Sequence, residues 1–112
     1  MSRPIAPKSP CVVVLWDGGQ ALAPAPRDTL LTIGRGPNCD LVVDHRSVSR
    51  VHAKLHAVSG RFWIEDLGSS NGTRVQGEQI APGTRAAIGY GDVVEIGDTL
   101  LTLLEGDASN LQ

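Results

Sequence analysis

Short apolar runs along the chain are cut off repeatedly by turn-forming residues. Cys11 to Trp16 is apolar and stops at Asp17-Gly18-Gly19, and Thr29 to Ile33 is apolar and β-branched and ends at Gly34. From 51 to 58 the pattern alternates, with Val51, Ala53, Leu55 and Ala57 on one face and His52, Lys54 and His56 on the other. That period belongs to a half-buried strand. Ser59-Gly60 predicts a two-residue hairpin, because glycine accepts positive φ, and Arg61 to Asp66 is the expected return strand. Gln76-Gly77 predicts a second hairpin, and Gly97-Asp98 a third between Val93–Ile96 and Thr99–Leu104. Pro24 and Pro26 rule out a central strand over residues 21–27. No stretch long enough for a helix keeps a helical period. Short strands with turn signals at roughly 8–12-residue spacing predict an all-β fold, an antiparallel sandwich or barrel. Residues 1–10 carry three prolines and no periodicity and are expected to form a flexible lead-in. The folded domain is expected over 11–105, with 106–112 as a polar tail.

Three polar segments fall between the expected strands. Gly34-Arg35-Gly36 follows one strand, Asp44 to Arg50 precedes the alternating one, and Asp66 to Thr73 follows its return. In a sandwich such loops gather at one end, where rigid strands hold them. Guanidinium groups, hydroxyls, backbone N–H groups and a carboxamide suit an anion held by directional hydrogen bonds, with phosphate the obvious candidate. By itself this inventory also describes ordinary solvated loops.

Composition narrows the function classes. The 112 residues are 41% hydrophobic and 20% charged, enough for one ordinary core. A net charge of −2 argues against a nucleic-acid partner, which needs a basic stripe. No apolar run approaches the ~20 residues that span a bilayer, so no membrane partner is expected. The first residues lack an apolar segment of signal-peptide length. Cys11 and Cys39 are the only cysteines, so a reducing, cytoplasmic compartment is expected. Charge is unevenly spread. Residues 34–54 hold Arg35, Arg46, Arg50 and Lys54 against Asp40 and Asp44, a net +2. Residues 86–112 hold five acids and no base. The basic sector coincides with the polar loops.

Order and spacing then add a stronger signal. Gly34-Arg35, Ser49-Arg50-Val51-His52, Asp66-Leu-Gly-Ser-Ser-Asn-Gly-Thr73 and Gly91-Asp92-Val-Val-Glu-Ile-Gly97 follow one another with strands between them. This arrangement resembles the forkhead-associated (FHA) domain family over about residues 12 to 105. The resemblance implies an eleven-stranded β-sandwich that binds phosphothreonine peptides on loops at one end, without catalysis or cofactor. It implies phosphate contacts from Arg35 and Ser49, and from Ser70 where many members carry threonine. Asn71 matches the asparagine that bonds the peptide backbone, and Arg50 a second peptide-contacting position. Arg46 and Ser47 lie in the loop that often chooses residues after the phosphothreonine. His52 matches a histidine that props the loops from inside, with Gly34 and Gly72 supporting them. Gln76 departs from the asparagine often found before the next glycine.

The partner implied is a threonine-phosphorylated protein, hence a link to a Ser/Thr kinase, with the domain working as a monomer. Self-binding by residues 1–10 is not expected, because they contain Ser2 and Ser9 and no threonine. Enzyme readings fare poorly. Ser49 and His52 lack any nucleophile signature around them. Cys11, Cys39, His45, His52 and His56 include no Cys-x-x-Cys pair for zinc. Lys8 and Lys54 stand in no Walker-type element. The competing expectation is a phosphate-independent docking or assembly module that uses a face of the sandwich.

Overall fold

The computed structural model describes residues 10–105. The expected tail and all of the lead-in except Pro10 lie outside the described residues. Eleven strands form two packed sheets, and there is no helix among the described residues. In chain order they are β1 (Cys11–Trp16), β2 (Gly19–Pro24), β3 (Leu30–Gly34), β4 (Leu41–Val42), β5 (Ala53–Val58) and β6 (Arg61–Asp66). Then follow β7 (Thr73–Val75), β8 (Glu78–Gln79), β9 (Arg85–Ile88), β10 (Val93–Ile96) and β11 (Thr99–Leu104). One sheet runs β2-β1-β11-β10-β7-β8, the other β4-β3-β5-β6-β9. Of the sandwich or barrel that the strand pattern allows, this is the sandwich, as the family resemblance implies.

Alternation supplies the core. Val12 and Val14 of β1, Leu101 and Leu103 of β11, and Val94 and Ile96 of β10 point inward from one sheet. Leu31 and Ile33 of β3, Ala53 and Leu55 of β5, and Phe62 and Ile64 of β6 meet them from the other. Glycine-containing turns close the hairpins. Ser59 and Gly60 have φ of 50° and 77° and join Val58 to its partner Arg61, the two positive values of a type I′ turn. Gln76-Gly77 and Gly97-Asp98 link the pairs Val75–Glu78 and Ile96–Thr99 in the same way by position. Pro24 sits in β2, at the edge of its sheet, where a missing N–H costs no ladder bond.

Two details correct the expectations. The sandwich is not wholly antiparallel, since β3 and β4 pair in parallel, Ile33 beside Leu41. A clamp explains how so short a connection achieves this. Thr32 N–H and O–H donate to Asp40 Oδ2 (2.8 and 3.1 Å), and Asp40 N–H donates to Thr32 Oγ1 (2.9 Å). The clamp returns residue 40 to the level of residue 32, and the chain sets out again in the same direction. Second, the alternating strand begins at Ala53 rather than Val51, and Val51 is 53% exposed. Two consecutive carbonyls, Ser49 and Arg50, accept from two consecutive amides, Arg35 and Gly36 (both 2.9 Å). Strand carbonyls alternate sides and cannot do this, so regular pairing starts only beyond it.

Candidate functional site

The loops after β3, before β5, after β6 and between β10 and β11 meet at one end of the sandwich, tied by hydrogen bonds from Arg35, Ser47, Ser49 and Gly97 to their neighbours. Gly34 ends β3 against the chain entering β5. A Cβ there would lie 2.2 Å from the Arg50 carbonyl oxygen, so any side chain would push the two loops apart. Arg35 follows, exposed, with its backbone N–H bonded to Ser49 O. Its Nε–H donates to Val48 O (3.1 Å). That bond fixes one edge of the guanidinium on the loop before β5.

Ser49 and Ser70 are brought together directly. The Ser70 N–H donates to Ser49 Oγ (3.0 Å), which leaves the Ser49 hydroxyl proton to point elsewhere. The Ser70 hydroxyl is exposed. Beside them Asn71 Nδ2 donates to Ser47 O (2.8 Å), which fixes the carboxamide between two loops. Arg50 and Arg46 are exposed, and among the described residues neither they nor Arg35 has a carboxylate within salt-bridge distance. Three exposed guanidinium groups thus sit on the loops that carry this pair of hydroxyls, with no carboxylate among the described residues paired to them. The structure gives Arg46 no side-chain contact with the others.

His52 lies underneath, fully buried. Its Nδ1 accepts the Ser49 N–H (3.0 Å) and its Nε2–H donates to Gly72 O (2.9 Å), so one neutral imidazole holds two loops at once. A backbone N–H can only donate, which fixes the tautomer. Burial pushes the His52 pKa down, against the opposing pulls of the Gly72 carbonyl and of Asp66, whose Oδ1 is 3.9 Å away. Gly72, with φ of 83°, completes the tight turn and sends its own N–H to Ser69 Oγ (3.0 Å).

Ser47 departs from its expected place on the peptide-facing surface. Its side chain is 6% exposed, and its Oγ accepts the Asp98 N–H (2.8 Å) while lying 2.8 Å from His45 Nδ1. Buried and bonded on both sides, the Ser47 hydroxyl supports the loops.

Sequence reasoning passed over two further supports. Asp66 at the end of β6 accepts from Gly68 N–H (2.9 Å), Ser69 N–H (3.0 Å), Ser69 O–H and Thr73 O–H (2.7 Å). Burial raises its pKa, but these bonds to the charged form outweigh burial and hold it below the usual carboxylate value. The Asp-Leu-Gly-Ser run, with its carboxylate two residues before a glycine, is the signal that would have found this turn. The other is His45, whose Nδ1 accepts the Ser47 N–H (3.1 Å).

Comparison with known proteins agrees with this geometry. The FHA domain family model matches residues 31–97. The chain is 40% identical over 77 residues to the glycogen accumulation regulator GarA of Mycolicibacterium smegmatis, covering 69% of this chain and 47% of that protein. It is 40% identical over 75 residues to the oxoglutarate dehydrogenase inhibitor of Corynebacterium diphtheriae, covering 67% and 50%. The matches thus span about half the length of these relatives. Among solved structures, the FHA domain of the CT664 protein from Chlamydia trachomatis superimposes with a TM-score of 0.76 at 31% identity, covering 86% of this chain and 97% of that one. The FHA domain of FhaA, solved in complex with the intracellular domain of Rv3910, has a TM-score of 0.70 at 25% identity, with 83% and 98% covered. Strand order, loop geometry and these matches lead to one conclusion: the chain belongs to the FHA domain family.

Proposed function

We propose that this domain is a non-enzymatic reader of phosphothreonine in partner proteins, acting downstream of a Ser/Thr protein kinase. The observation that carries the proposal is the junction of the Arg35, Ser49 and Ser70 loops, where the Arg35 N–H is bonded to Ser49 O, the Ser70 N–H to Ser49 Oγ, and the exposed Arg35 has no carboxylate partner among the described residues. Arg35 and the Ser49 and Ser70 hydroxyls donate to the phosphate oxygens, while Asn71 and Arg50 hold the peptide backbone beside it and Arg46 reaches flanking residues. Gly34, His52 and Gly72 keep the loops in place. Phosphothreonine brings about −1.5 to −2 charge and three strong acceptors at neutral pH. Two or three charge-assisted bonds of roughly 1.5–3 kcal/mol each separate phosphorylated from plain peptide by a hundredfold or more. The FHA domain of FhaA in its complex and EmbR of Mycobacterium tuberculosis with its low affinity phosphopeptide are in keeping with this reading.

One observation favours a second reading. Leu15, Leu22, Val93 and Leu100 are 42–49% exposed on the outer face of the six-stranded sheet, an apolar surface suited to phosphate-independent docking. A phosphothreonine peptide-library screen separates the two. The proposal expects enrichment that depends on the phosphate and vanishes with Arg35→Ala. Enrichment indifferent to phosphate and to Arg35, but lost with Leu15→Lys, would replace it.

A further inference from the structure

His45 is an imidazole built into the binding loop at a place where the loop needs an acceptor. Its Nδ1 lies 3.1 Å from the Ser47 backbone nitrogen, a group that can only donate. The same Nδ1 lies 2.8 Å from Ser47 Oγ. The Ser47 oxygen in turn accepts the Asp98 N–H (2.8 Å) from the β10–β11 turn, so its proton is free for His45. The only assignment that satisfies all three contacts has a bare lone pair on Nδ1 and the ring proton on Nε2. His45 must therefore be neutral for this network to exist.

Ser47 gives that requirement its reach. Its side chain ties the 43–52 loop to Asp98, and its carbonyl accepts the Asn71 carboxamide (2.8 Å). Two residues on, Ser49 holds the Ser70 N–H. A proton on Nδ1 would set donor against donor at the Ser47 N–H. It would also force the Ser47 hydroxyl, already accepting from Asp98, to accept a second bond and turn its own proton away. The charged groups around His45 do not offset this. Asp44 and Arg46 flank it on its own loop and Asp98 approaches from the β10–β11 turn, and no carboxylate among the described residues comes within ion-pair distance of its ring.

We propose that His45 is a positioning residue that holds Ser47, and through it Asn71 and the Ser49–Ser70 pair, in their binding arrangement only when neutral, so that phosphopeptide affinity is tuned by pH through a residue that touches no ligand. The proposal rests on the phosphothreonine reading.

The test uses the whole chain and a phosphothreonine peptide taken from the library screen, with dissociation constants measured from pH 5.5 to 7.5. His45→Asn is the informative variant, because its Oδ1 accepts the N–H two residues on and does not titrate. The second ionisation of the phosphate, near pH 6, is common to every variant. At pH 7.5, His45→Asn binds within about twofold of the parent, and His45→Ala at least about fivefold more weakly. At pH 5.5 the parent loses roughly three- to tenfold more affinity than His45→Asn. Superimposable pH profiles for the parent and His45→Asn would overturn the proposal. A second measurement keeps it separate from the fate of the phosphothreonine reading. In the ligand-free chain, nuclear magnetic resonance follows the His45 ring and the amides of Ser47, Asn71 and Asp98 through the same pH range. The proposal expects a Nε2–H tautomer at pH 7.5 and one shared midpoint. Amides that ignore the ring's titration would sink it, whatever any peptide does.

Discussion

Replacing Arg35 with alanine removes the guanidinium proposed to grip the phosphate but only one side-chain bond, Nε–H to Val48 O, from the fold. The expected result is at least a hundredfold loss of phosphopeptide affinity, read by calorimetry. Stability should fall by no more than about 1 kcal/mol, a few degrees of melting temperature. His52→Ala is the opposite case. It leaves the Ser49 N–H without its partner and takes one of two donors from the Gly72 carbonyl, which keeps the Gly97 N–H, at a cost of about 2 kcal/mol in denaturant unfolding. Acid acts on the same residues. The folded-state pKa of His52 lies below 6.5, so the unfolded chain takes its proton first. Its contribution is therefore complete above about pH 6.5 and declines as pH falls from there toward the folded value. Asp66, lowered from 3.8, contributes fully above that value and is lost as pH drops through its folded pKa. Stability measured against pH should accordingly begin to decline below about 6.5, and His52→Gln should flatten that first limb. At this scale the meeting of the Arg35 and Ser49 loops was legible because Gly-Arg and Ser-x-x-His spell out their spacing. Ser47 was not, since nothing local shows that the Asp98 amide, 51 residues away, donates to its hydroxyl.

Among elements, the two-residue hairpins were the most readable feature, because Ser-Gly, Gln-Gly and Gly-Asp state their own turn chemistry. The Ser59-Gly60 turn lies at the end of β5 away from the binding loops, which gives an independent check. Gly60→Ala, forced to φ near 77°, should lower stability by about 1 kcal/mol and leave phosphopeptide affinity unchanged. Chemical denaturation and calorimetry on one preparation measure both. The parallel β3–β4 pair was not legible, because it depends on Thr32 and Asp40 reaching each other across a loop. Val51 was misplaced for a related reason. Apolar alternation says nothing about where adjacent carbonyls are already claimed by another loop. The two-residue strands β4 and β8 are too short to carry any period at all.

For the whole molecule, alternation foretold an all-β sandwich or barrel but not which strands share a sheet. β7 lies between β10 and β8, an order that only long-range packing decides. Net charge of −2 hides the local arrangement that matters, three arginines on the binding loops with no carboxylate partner among the described residues. Affinity for a phosphopeptide should therefore weaken as salt is added, with no comparable attraction for nucleic acid of any sequence. The central claim is that this end of the sandwich recognises the phosphate itself. The most direct test is calorimetric titration of the domain with one peptide in two forms, phosphothreonine and threonine, in the same buffer at pH 7.5. The account predicts micromolar or tighter binding of the phosphorylated form and at least a hundredfold weaker binding of the other. Equal dissociation constants for the two forms would contradict it.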